Sequence, residues 1–117
     1  MFQSIGDEGQ FVFPPLHLTE LFQPVYDDGA RVHSNSWGAA VDGQYTVYSN
    51  EVDRFCWEHK DFTVVFAVGN EAEDKNQDGV VDTDCLYAPA TAKNCIAVGA
   101  TESNRALLAA VQHGLAE

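Results

Sequence analysis

The stretch Thr63-Val64-Val65-Phe66-Ala67-Val68-Gly69-Asn70 is a β-branched and aromatic run of strand length, halted by a Gly-Asn pair. Working upstream, Ala30 to Ser34 reads as a second short strand running into Asn35-Ser36-Trp37-Gly38. Between the two lie a polar, Gly-containing loop over 39–46 and a helix. Ser49 or Asn50 can cap that helix, and Val52, Phe55, Cys56 and His59 form its buried stripe. Arg54 and Glu58 fall one turn apart on its exposed side. Further upstream, Leu18, Leu21, Phe22, Val25 and Tyr26 recur at helical spacing up to Gly29, and Pro24 inside that pattern predicts a kink or a break. Downstream, a polar loop from Glu71 to Asp84 precedes a third strand, Cys95 to Val98, stopped by Gly99. Helices alternating with short apolar strands predict an α/β fold, a parallel sheet flanked by helices. The tail from Ser103 carries Leu107, Leu108, Val111 and Leu115 at helical spacing but no chemistry.

Composition narrows the possible partners. The 117 residues suit one domain, and 45% apolar content with seven Phe, four Tyr and two Trp suffices for a core. Eighteen acidic against six basic side chains leave a net charge of −12. No basic stripe exists to neutralise phosphates or to meet an anionic bilayer, so neither nucleic acid nor a membrane surface is expected as a partner. The longest apolar run, 62–68, is too short to span a membrane. Met1-Phe2-Gln3-Ser4 lacks a basic flank, and Asp7 and Glu8 follow, so the opening does not read as a secretory signal. Three cysteines allow at most one intrachain disulfide, with Cys85 and Cys95 the pair favoured by separation. The alternative is that all three are small buried hydrophobes.

Chemistry in an open α/β sheet sits beyond the carboxyl ends of the strands. Two such ends stand out, Ser34-Asn35-Ser36-Trp37-Gly38 and Phe66-Ala67-Val68-Gly69-Asn70-Glu71. A Gly-Asn turn after a buried strand sets a side-chain amide at the rim, where it can stabilise a developing oxyanion. Base rates alone favour an ordinary turn.

Three blocks change that balance. Gly29 to Gly38, Phe66 to Glu71, and Ala88-Pro89-Ala90-Thr91-Ala92-Lys93-Asn94-Cys95-Ile96-Ala97-Val98-Gly99-Ala100-Thr101 together resemble the subtilisin-like serine proteases. The nearest subgroup has an Asn-Ser-Trp-Gly strand and a Thr-Ala-Lys-Asn turn. The blocks stand in the family's order, and the resemblance runs from about Phe2 to about Arg105. It implies a three-layer α/β sandwich, a polypeptide substrate and a secreted or extracellular parent.

Carried over residue by residue, the resemblance makes Asn70 the oxyanion-hole asparagine. It makes Ser36, Trp37 and Gly38 the segment whose backbone pairs with an extended substrate. Ala67, Val68 and Gly69 become one wall of the pocket for the residue before the cleaved bond, with Tyr87 near its base. Small residues are usual there, so Tyr87 makes that pocket shallower. Ala90 replaces the glycine usual after the proline, and would be strained if that backbone required positive φ.

The family's nucleophile lies in a Gly-Thr-Ser motif, its histidine in His-Gly-Thr, and its aspartate in an early Asp-Thr or Asp-Ser-Gly strand. None occurs here. His17, His33, His59 and His113 have no Ser/Asp arrangement to complete, and His33 and His59 read as structural histidines. In the family's order of Asp, His, Asn and Ser, this sequence covers the interval between His and Ser. The expectation is a partial catalytic domain over 1–117, with an inserted acidic loop at 71–84 and a divergent tail at 106–117. The remainder of the domain is expected to cover exposed apolar surface.

The inserted loop has its own pattern. Asp74-Lys75-Asn76-Gln77-Asp78-Gly79-Val80-Val81-Asp82 matches the opening of a calcium loop, D-x-N-x-D-G-x-x-D. Asp74, Asn76, Asp78, Asp82 and the Val80 carbonyl are the candidate ligands, with Gly79 at the sharp turn. The twelfth position is Cys85 in place of a bidentate Glu, Asp84 comes one residue early, and no helix leads in. An all-oxygen set suits calcium and not zinc; the bland reading is a solvated acidic turn. The rival functions are thus a calcium-binding module and a non-catalytic peptide-binding module.

Overall fold

The computed structural model describes residues 14–71 and 73–100, together with two-residue strands β1 (Gly6–Asp7) and β2 (Gln10–Phe11), which pair antiparallel. The tail helix expected around Leu107–Leu115, and His113 within it, lie outside the described residues.

Helix α1 covers Thr19–Asp27 and buries Leu21, Phe22 and Val25, three residues of the expected stripe. Pro24 produces no break. It forfeits only its own amide donor, while its carbonyl still accepts from the Asp28 amide at 3.1 Å. Gly29 takes the left-handed conformation, φ +97°, that turns the chain into strand β3, Val32–Asn35.

Helix α2 spans Val47–Glu58, starting earlier than either expected cap allows. Thr46 is the cap, and Ser49 is the third helical residue, whose hydroxyl accepts the Thr46 amide at 3.1 Å. Val52, Phe55 and Cys56 are buried as expected. His59 closes the helix, its ring stacked on Phe55 at 4.1 Å and edge-on to Tyr26 at 4.4 Å. Arg54 turns to Glu51 at 3.0 Å, the pairing the structure records for it in place of Glu58. The difference follows from burial: Glu51 is 5% exposed and needs a counter-charge, whereas the Glu58 carboxylate has water.

Strand β4, Thr63–Ala67, lies at the centre of a parallel sheet ordered β3-β4-β5, with β5 at Cys95–Val98. The register aligns His33 with Val64 and Val64 with Cys95; two steps on, Asn35 aligns with Phe66 and Phe66 with Ala97. Successive side chains alternate between faces. One face therefore carries His33, Asn35, Val64, Phe66, Cys95 and Ala97; the helices pack on it over all but the end of β5, where Ala97 is exposed. Its core joins Phe22, Phe55, Phe62, Val52, Val64 and Phe66, with Phe22–Phe55 ring centroids 5.3 Å apart. The opposite face carries Val32, Val65, Ala67, Ile96 and Val98, and here Val32, Ile96 and Val98 are half exposed or more. Of three expected layers, the described residues build two.

The Thr91–Asn94 turn is fastened to α2, which explains why a polar turn follows a buried proline. Ser49 and Thr91 hydroxyls are 2.6 Å apart. The Asp53 carboxylate accepts the Lys93 and Asn94 amides at 2.9 and 2.7 Å, and the Tyr45 hydroxyl at 2.8 Å. Ala90 is buried and takes no positive φ, so its replacement of glycine brings no strain. The Cys85–Cys95 disulfide is not formed; all three cysteines are free. The Cys95 sulfur faces the Ala90 and Ala92 carbonyls, while Cys85 accepts the Glu73 amide across the neck of the acidic loop.

Candidate functional site

Beyond the carboxyl ends of β3 and β4 the chain forms an open cleft of about 460 Å³. Ser36, Trp37, Gly38, Ala67, Gly69, Asn70 and Tyr87 line it. These are the sequence-predicted peptide-site residues apart from Val68. Val68 instead faces an adjoining cavity of about 200 Å³, with Gly69, Glu71, Val81, Asp82, Cys85 and Leu86.

Each wall is held by ordinary local physics. Trp37 packs edge-on against Phe66 at 5.2 Å, and its indole N–H donates to Asn35 Oδ1 at 3.1 Å. Asn35 is itself buried, and its amide donates to the Val65 carbonyl at 3.1 Å, tying β3 to β4 at the point where the cleft begins. A buried amide with its partners supplied fixes geometry, because leaving any of them unpaired is costly. Asn35 was visible in the sequence only as part of a motif; its role in seating Trp37 was not.

The opposite wall follows from Gly69. Its φ of +126° swings the chain out of β4 and leaves Asn70 exposed at the rim. The acidic loop then leaves from Asn70 and returns at Tyr87, so both its ends stand on the cleft. Tyr87 is clipped in place. Its amide donates to the Val68 carbonyl at 2.9 Å, and Ala88 exchanges two backbone bonds with Ala39 at 2.9 and 3.0 Å. Burial, and then the Glu71 carboxylate beside its hydroxyl, raise the Tyr87 pKa, so the phenol stays protonated at neutral pH.

Past Tyr87 lies a smaller cavity of about 150 Å³ bordered by Asp42, Glu71, Glu73, Asp84 and Lys75. Lys75 Nζ is 3.0 Å from Asp84 and 3.8 Å from Glu73. Its hydrogen bond holds the Asp84 carboxyl below its usual range and lifts the lysine above its own.

In the loop, Asp74 accepts the Asp78 and Gly79 amides at 3.1 and 2.8 Å, Asp78 accepts that of Val80 at 2.8 Å, and Asp82 that of Lys75 at 2.9 Å. Gly79 has φ +83° at the expected turn. Among the described residues no group of three or more His, Cys, Asp or Glu is arranged to hold a metal ion. His33 lies among Phe22, Phe62 and Asn35, and burial lowers its pKa. No described helix is long and apolar enough to cross a membrane.

A parallel sheet with a Gly-Asn turn and a Ser-Trp-Gly segment on either side of one cleft defines a class. The Subtilase family model matches residues 16–114, and the chain belongs to that family. Its relatives include two Dictyostelium discoideum proteins, serine protease/ABC transporter B family proteins tagB and tagD. Each is 37% identical over 94 residues, 77% of this chain. A third, tagA of the same organism, is 34% identical over 85 residues, 73% of this chain. The chain spans only 4–5% of the length of these relatives.

Proposed function

We propose that this chain is the central part of a subtilisin-like serine endopeptidase domain and holds the peptide-binding cleft and the oxyanion donor of that enzyme. The catalytic Asp, His and Ser would come from sequence flanking these 117 residues in the parent protein. In the joined domain, the serine oxygen attacks the scissile carbonyl, its proton passing to the histidine. The Asn70 amide donates to the carbonyl oxygen as it becomes negative, and Ser36–Gly38 holds the substrate as an added strand. The observation that carries the reading is the convergence of both wall segments and Tyr87 on one cleft at the strand ends of a family member. Among the described residues no layer covers the Val32–Ile96 face, and parallel sheets are ordinarily covered on both faces, which supports the partial-domain reading.

The test compares the chain with a longer parent that supplies the triad, using a fluorophosphonate that labels activated serines. The parent is expected to label stoichiometrically and to cleave casein; the chain alone is expected to do neither. A serine labelled in the chain alone, or a parent with no activity, overturns the reading. Peptide binding by a parent without turnover identifies a peptide-binding module instead.

The acidic loop is proposed to bind calcium through Asp74, Asn76, Asp78, Asp82 and the Val80 carbonyl. The spacing and the hard oxygen donors support this, and carboxylates that accept loop amides keep lone pairs for a cation. Calcium, and not sodium, is then expected to raise the melting temperature, and Asp78→Ala to abolish the rise. Calorimetry without binding at millimolar calcium leaves a solvated turn.

A further inference from the structure

Three cysteines stand free, and two of them, Cys56 and Cys95, share the seam where α2 packs on β5. That seam is laced in sequence order. The Ser49 and Thr91 hydroxyls are 2.6 Å apart, and one turn on, the Asp53 carboxylate accepts the Lys93 and Asn94 amides at 2.9 and 2.7 Å. The next residue on the same side of α2 is Cys56, and the next residue of the facing segment is Cys95. Three helical residues advance about 4.5 Å and one extended residue about 3.3 Å, so the two cysteines stay level. The sheet register leads to the same place. Cys95 aligns with Val64 on the helix-facing side, and the Cys56 thiol meets the Val64 backbone. Neighbouring strands lie about 4.8 Å apart, so the two sulfurs stand over adjacent backbones. Burial first, and then the Asp53 carboxylate, raise the pKa of both thiols, and the Cys95 thiol adds to the shift that takes Cys56 to about 11. Sequence separation favours Cys85 as the partner of Cys95, but the fold parts them. Cys85 lines the cavity beside Val68 and Gly69, past one end of β4, whereas Cys95 aligns with Val64 near the other.

We propose that Cys56 and Cys95 are a redox pair, closing to a disulfide that fastens α2 to β5. The pair is present whether or not the parent is a peptidase. The oxidant is a small-molecule disulfide such as oxidised glutathione. One cysteine, as its thiolate, attacks that disulfide and displaces one thiolate, leaving a mixed disulfide. The second cysteine then attacks the protein sulfur of the mixed bond and displaces the other thiolate. Two protein thiols thus lose two protons and two electrons, and one disulfide is reduced to two thiols. Thiols held above their ordinary pKa have little thiolate at neutral pH, so closure in the folded protein is slow and quickens with pH. The closed loop of roughly 40 residues contains Asn70, the acidic loop and Tyr87, so one bond restrains one wall of the cleft from both ends.

The experiment incubates the folded parent protein containing these residues with oxidised glutathione at about pH 9, then alkylates the remaining thiols. Trypsin cuts after Arg54, Lys60, Lys75, Lys93 and Arg105, which puts the three cysteines on three peptides. Mass spectrometry should find residues 55–60 joined to residues 94–105, and dithiothreitol should separate them. The rate of joining should rise about tenfold for each pH unit below the thiol pKa values. The oxidised protein should melt at least about 5 °C above the reduced one; Cys56→Ala should remove that difference and Cys85→Ala should keep it. A bridge from Cys85 to either cysteine, Cys56 and Cys95 both alkylated in the wild type, or equal melting of its oxidised and reduced forms overturns the proposal. The peptide mapping needs no variant, so it decides the matter if Cys56→Ala does not fold.

Discussion

The two faces of the sheet share strands, register and backbone hydrogen bonds, yet they bury different amounts. On the helix-covered face Val64 and Phe66 are 0% exposed; on the other, Val32 is 65% exposed and Ile96 54%. The side chains are equally apolar, so composition does not explain the difference. What differs is the presence of a layer. Among the described residues, helices α1 and α2 lie over His33, Val64 and Phe66, whereas the link from β4 to β5 is the acidic loop with a single 3₁₀ turn at Thr83–Cys85. The strands are written for burial on both sides, and the helices described supply one.

The largest effect should come from the covered face. Phe55→Ala removes a ring in contact with Phe22, Tyr26, Phe62 and His59, and should cost about 3–5 kcal/mol in urea denaturation. At the rim between the faces, Asn70→Ala in the triad-bearing parent should lower kcat by about 10²–10³ with KM nearly unchanged. That magnitude is the one known for a subtilisin asparagine and is carried over to this cleft. A raised KM at normal kcat would assign Asn70 to ground-state binding only.

Asp53→Ala should cost about 1–3 kcal/mol, because two turn amides lose their acceptor, and hydrogen exchange at Lys93 and Asn94 should accelerate first. The covered face also holds a titrating group. Burial depresses the folded-state pKa of His33 below its ordinary 6.5, so the unfolded chain binds the proton first as pH falls. Stability should therefore begin to drop below about pH 6.5 and level off below the folded pKa, and His33→Phe should flatten that slope. The smallest effect belongs to the bare face. Ile96→Ala should change stability by less than about 0.5 kcal/mol in this chain, and by several-fold more in a parent whose added layer covers it. Equal costs for Phe55→Ala and Ile96→Ala would erase the contrast between the faces.

How much of this was legible beforehand depends on the range of the interactions. Strand β5 has the bounds its apolar run suggested, Cys95–Val98, because the run and its stopping glycine are local signals. The two wall segments stood out as strand ends for the same reason, but only the resemblance suggested them as walls of a cleft. The start of α2 was misplaced because Thr46, Ser49 and Asn50 are all cap-forming residues, and the capping geometry depends on which hydroxyl turns back. Burial of Glu51, the Asp53 clasp on a turn forty residues away, and the seating of Trp37 by Asn35 are tertiary and left no periodic trace. The resemblance placed Tyr87 near the cleft, but its backbone bond to Val68 joins residues nineteen apart and needed the loop to close.

That closure has a consequence for modularity. Before the excursion from Asp74 to Val81 is complete, its neck is already sealed: the Asp82 amide donates to the Glu73 carbonyl at 2.9 Å, and the Glu73 amide donates to the Cys85 sulfur at 3.3 Å. Lys75, bonded to Asp82 and paired with Asp84 and Glu73, belongs to the same stem, so a change of length confined to residues 76–80 is expected to leave Tyr87 where it stands between the two walls.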